Sequence, residues 1–150
     1  MSLVEIRFIA PRMEDFVRQV KAENITPDKV ERIARLLALE AERAMKTELS
    51  NYVRTGLTRA SIESWPLTIT PVMAAYAVGS RTRGHILYWL DRGRGWVFPV
   101  KRRALRWIGR GGEVVFSRYS RPSQPQFIFE KVRAWVQSQV DKIVSEVLAT

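Results

Sequence analysis

Apolar and polar positions change period along this chain, and each change marks an element. From Leu3 to Ile9 they alternate, with Val4, Ile6 and Phe8 on one side and Glu5 and Arg7 on the other, the period of a short strand. Pro11 suits a first helical turn, and PRMEDFVRQVKAEN spaces Met13, Phe16, Val17 and Val20 along one face of a short amphipathic helix. Thr26-Pro27-Asp28 then opens a long helix, because a threonine hydroxyl accepts from a free amide and proline is tolerated at the first helical position. Val30, Ile33, Leu37, Ala41, Ala44 and Met45 form its inward stripe, which fades between Asn51 and Gly56, where glycine can end it.

Beyond Gly56 the period shortens. Two strands are predicted at 62–70 and 73–79, separated by Thr70-Pro71. GSRTRG reads as a basic loop, HILYWLDR as one or two helical turns, and WVFPV as a strand resuming after a glycine break. LRWI and EVVFSRY flank Gly109-Arg110-Gly111-Gly112, where glycines can take positive φ, so a β-hairpin is expected there. RPSQP resets the chain before Ile128, Val132, Trp135, Val136, Val140, Ile143 and Val147, whose spacing of three and four makes a C-terminal amphipathic helix. The expected fold class is α+β: a central antiparallel β-sheet, with a long N-terminal helix and the C-terminal helix packed on it, as a single domain over 1–150.

Charge changes this picture by its location. The net charge is +10, yet residues 1–80 hold 11 Lys/Arg against 10 Asp/Glu and residues 122–150 hold 3 against 3. Residues 81–121 hold 11 against 2. Such a local positive field favours a polyanion, whether DNA, RNA or an acidic protein surface, with an ordinary solvated basic face as the plain alternative. Trp89, Trp96 and Trp107 lie in the same stretch and are read as core anchors, with interface contact as the other role open to them. No apolar run reaches the roughly 18 residues of a membrane span, and the N-terminus lacks a secretory pattern, so the expectation is a protein soluble when made.

Candidate chemistry is sparse. His85, the single histidine, has no cysteine or serine elbow to act upon, and is expected to be a loop or helix-start residue. One histidine, no cysteine and two central carboxylates make no recognisable metal site, while Glu14, Asp15, Glu40 and Glu42 look like solvated helix positions. GRGW and GRGG are fragments of a phosphate-binding loop only. No catalytic, cofactor-binding or metal residue is therefore assigned, and the chain is read as a non-enzyme.

One ordered series of motifs points further. TGLTRASI (55–62), AYAVGS (75–80), YWLDRGRG (88–95), FPVKRRALRW (98–107), GGEVVFSR (111–118) and RPSQPQFIFEKV (121–132) follow one another. This succession resembles the tail-completion or minor tail-component family of tailed bacteriophages, which acts at the neck where tail meets head. The family's pattern falls here on Thr55, Gly56, Leu57 and Ser61, then on Tyr88, Asp91, Gly93 and Gly95, then on Pro99, Lys101, Ala104, Leu105 and Trp107, and last on Pro122, Pro125 and Phe127. It covers about 55–132, leaving 1–25 as an N-terminal addition. Asp91 stands where the pattern has glutamate, Arg92 and Arg94 replace neutral neighbours, and RTRG makes the loop before His85 unusually basic.

The resemblance implies a structural virion protein in the tail or neck, made in the host cytoplasm. Its partners would be copies of itself in a ring, sixfold, and other neck and tail proteins such as a connector or adaptor, a tail terminator or the tail tube. It also implies weak, nonspecific contact with genomic DNA and none with a membrane. Arg81, Arg83, Arg92, Arg94, Arg102 and Arg103 are the expected assembly or DNA-facing residues. The alternative is a non-sequence-specific nucleic-acid-binding module using residues 81–121, with arginines on phosphates and tryptophans stacked on bases.

Overall fold

A computed structural model describes the backbone of residues 3–9, and residues 25–52, 56–109 and 111–150 in full. The helix expected over 11–24, with Met13, Glu14, Asp15, Phe16, Val17 and Val20, lies outside the described residues, as do Thr55 and Arg110. The elements run β1 (Leu3–Ile9), α1 (Pro27–Ser50), α2 (Leu57–Ala60), β2 (Glu63–Thr70), β3 (Met73–Gly79), α3 (Gly84–Arg92), β4 (Leu105–Ile108), β5 (Val114–Ser117) and α4 (Ile128–Leu148). The fold is mixed α+β, and its strands divide into two small antiparallel sheets: β1-β3-β2, and the separate pair β4-β5.

Helix α1 begins as its sequence dictates. The Thr26 hydroxyl accepts from the Lys29 amide, and proline follows at the first helical positions. Its buried residues are Val30, Ile33, Ala34, Leu37, Ala38, Ala41, Met45 and Leu49, an arc wider than the roughly 100° that one packing partner requires. Both flanks are used. One lies on the sheet, where Ala74, Tyr76 and Val78 of β3 join the core, and the other lies on α4, which contributes Ile128, Val132, Val136, Ile143 and Val147. Helix α4 thus docks chiefly on α1 rather than on the sheet. The alanines of α1 leave room for both neighbours.

In β3 the successive residues Ala74 to Gly79 are all buried, as befits the middle strand. On one side Val4, Ile6 and Phe8 register against Val78, Tyr76 and Ala74. On the other side β2 carries Pro66 and a register shift between Pro66 and Thr68, features that blunt an edge strand. The strand expected over WVFPV does not form: Val97 makes an isolated bridge with Ser120, while Phe98 and Val100 turn outward. Pro99 supplies no amide donor to extend that pairing.

Candidate assembly surface

A buried polar site joins α3 to the start of α4. Helix α4 opens after Phe127, which holds φ 52° and supplies no side-chain cap. Asp91, in the last turn of α3, provides the missing acceptor across the fold. Its carboxylate accepts from the Phe129 amide at 2.8 Å and faces the Arg92 guanidinium at 3.2 Å, and the residue is only 3% exposed. An acidic group at a helix N-terminus also complements the helix dipole. The Leu90 and Asp91 carbonyls accept from the Gln126 and Phe127 amides, and the Tyr52 hydroxyl donates to the Gln126 side chain at 2.6 Å. Asp91 therefore caps amides distant in sequence, a pairing that local spacing does not reveal.

Gly93 makes that junction possible. It holds φ 78°, and a Cβ there would lie 2.7 Å from the Ser123 carbonyl oxygen and 3.0 Å from the Pro125 nitrogen. Gly95 meets no such crowding. Gly93, Pro125 and Phe127 of the sequence motif thus converge on one seam with Asp91.

The six arginines singled out by sequence divide by environment. Arg94 is an internal staple: its guanidinium donates to the Ser120 hydroxyl at 2.6 Å and the Arg121 carbonyl at 3.3 Å, and it lies 5.6 Å from the Trp89 ring centroid. Its backbone exchanges two hydrogen bonds with Ser123. Arg92 is held beside Asp91, and Arg81 pairs with Glu63 at 3.3 Å while stacking over Trp65 at 4.3 Å. Arg83 gives its backbone amide to the Ser80 hydroxyl at the start of α3. Ser80 is fully buried and bonded to Ser61, whose hydroxyl donates to the Thr58 carbonyl, so the Ser80 proton points to Ser61. Arg102 and Arg103 are exposed and form no ion pair among the described residues.

Around these last two lies an arm, described over residues 96–109 and 111–120, several of whose large apolar groups are exposed. Pairing of Arg106 with Phe116 and of Ile108 with Val114 puts these four on one face of the β4-β5 ribbon, and all four are exposed. Val100 is 96% exposed and Phe98 62%. The opposite face carries Leu105, Trp107, Val115 and Ser117, each half-buried. Core placement of the tryptophans is thus corrected for two of three: Trp89 and Trp96 are exposed, Trp89 edge-on to His85 and Trp96 edge-on to Tyr119. Tyr88 is exposed as well, and Pro99 is half-buried.

Neither carboxylate of the basic stretch pairs with a cation of the arm among the described residues. Asp91 is buried in its seam, and Glu113 folds over Gly109 at the hairpin turn, where a Cβ would meet it. The exposed cations Lys101, Arg102, Arg103, Arg106 and Arg118 are left without an ion-pair partner among the described residues. The chain matches no protein-family model, no curated protein and no solved structure. Its surfaces are what remains to indicate a function.

Among the described residues, no three His, Cys, Asp or Glu side chains gather to hold a metal ion, and no helix is long and apolar enough to cross a membrane. His85 contacts an aromatic ring. What the arm offers is an apolar surface with a cationic border, the composition of a binding face.

Proposed function

We propose that this chain is a structural virion protein of a tailed phage, a tail-completion or neck component that joins or caps the tail at the head–tail interface around the DNA path. The observation that carries this reading is the arm. Its exposed Phe98, Val100, Val114 and Phe116 stand beside cations that have no ion-pair partner among the described residues, whereas Leu37, Met45, Leu87, Ile128 and Val132 of the body are buried together in a core. Such a surface gains by covering itself with another protein chain. A phosphate backbone would neutralise the arginines but leave the valines wet, so a protein partner accounts for more of the surface than nucleic acid does.

In this role no residue performs chemistry. The Asp91–Gly93–Phe127 seam fixes the root of the arm, and Arg102 and Arg103 face neighbouring subunits or graze the passing DNA. The motif order over 55–132 supports the family assignment. The test is light-scattering mass at low and high salt, with and without nonspecific duplex DNA, together with binding to purified tails. A closed oligomer, or a monomer that ignores DNA and joins tails, is the expected result. A monomer that binds DNA with a steep salt dependence, and ignores tails, would replace this reading with the nucleic-acid-binding one.

A further inference from the structure

A second surface of the chain complements the arm. Between α1 and α4 runs a cleft of about 750 Å³. Ala44 and Ala134 help to line it, and Trp135 projects into it, 48% exposed. The tryptophan belongs by spacing to the inward stripe of α4. It remains uncovered, because α1 presents Ala44 and polar side chains there.

The carboxylates Glu40 and Glu48 line the same cleft, as do the cations Arg43 and Lys131. Glu40 accepts from the Trp135 indole at 3.5 Å and pairs with Arg43 at 2.9 Å, while Glu48 pairs with Lys131 at 3.5 Å. Arg43 and Lys131 are themselves exposed, and surface pairs of this kind are weak, so incoming cations can compete with them for the two carboxylates.

We propose that this cleft receives the segment Phe98–Arg103 of a second copy of the chain. Phe98 and Val100 are its most exposed apolar groups ahead of the ribbon, and Pro99 between them fixes the backbone, which lowers the entropic cost of docking. Three successive cations follow, Lys101, Arg102 and Arg103, without carboxylates of their own. Apolar side chains meet Trp135 and the alanines, and the cations meet Glu40 and Glu48. Arm and cleft are different surfaces of one chain, so the contact is head-to-tail, the kind that closes into a ring when its rotation allows.

This inference rests on the assembly reading above, and the two can fail separately. Phe98→p-benzoylphenylalanine, photolysed in a mixture of isotopically light and heavy full-length chains, should give mixed-mass cross-links on residues 40–48 and 131–138. Glu40→Arg/Glu48→Arg and Arg102→Glu/Arg103→Glu should each weaken self-association about tenfold or more, and combining all four changes should restore it. Thermal melting of each variant verifies folding. Cross-links elsewhere in a protein that does associate, or reversals that leave association unchanged, overturn the cleft as the docking site and leave the assembly reading standing. A chain that neither self-associates at any concentration nor joins purified tails overturns both.

Discussion

The body and the arm use similar residues to opposite ends. In the body, Leu37, Met45, Leu87, Ile128 and Val132 are sealed among one another between helices and sheet. In the arm, Phe98, Val100, Val114 and Phe116 meet solvent although they belong to an equally apolar stretch. The difference follows from geometry. A two-stranded ribbon has two faces and too little mass to cover both, so one face is left in contact with solvent. Hydrophobicity in the sequence thus does not by itself state whether a residue is covered within its own chain.

The sharpest test of this contrast pairs one residue from each region. Leu37→Ala opens a cavity at a fully buried site and should lower unfolding free energy by about 2–5 kcal/mol in urea titrations. Phe116→Ser should change it by no more than about 0.5 kcal/mol, while weakening self-association. A large loss of stability from Phe116→Ser would mean that the arm has its own core, and the contrast would collapse.

The seam between body and arm should give an intermediate effect. Asp91→Ala leaves the Phe129 amide without its acceptor and should cost about 1–3 kcal/mol. Asp91→Asn keeps an acceptor oxygen and loses the charge beside Arg92, so its cost should be smaller. Faster hydrogen exchange at the Phe129 amide in the alanine variant would locate the loss at the start of α4. An exchange rate like that of the parent chain would show that the helix is held by other means.

Where structure is local or periodic, the sequence is a good guide. Thr26 caps α1, the three-and-four spacing marks α4, and the glycines around 109–112 bring β4 and β5 together, with Gly112 at φ 83°. What it conceals is choice between partners. Nothing near Arg94 announces Ser120 and Arg121 as its hydrogen-bond partners, so its charge looks as available as that of Arg103. Likewise Trp135 keeps the spacing of a core residue, and only the polar face of α1 opposite leaves it half uncovered. Phe98-Pro99-Val100 carried a usable signal: a proline inside an apolar run argues against a central strand.

The smallest expected effect lies within the body and separates true burial from mere packing. Tyr76 is 6% exposed, and its phenol is pushed above its ordinary value near 10, first by burial and then by the Glu31 carboxylate to which its hydroxyl donates at 3.4 Å. Because the folded phenol holds its proton more tightly than the unfolded one, its contribution is intact below the unfolded pKa. It declines as pH rises past that value toward the folded one, since only the unfolded chain then gains by ionising. Tyr76→Phe removes this term without opening a cavity. The difference in unfolding free energy between the two proteins should therefore be flat below about pH 10 and then shrink to the disadvantage of the parent chain. A difference that stays constant through the alkaline range would show that the phenol ionises as easily folded as unfolded, and that the sheet side of the core is wetter than its buried residues imply.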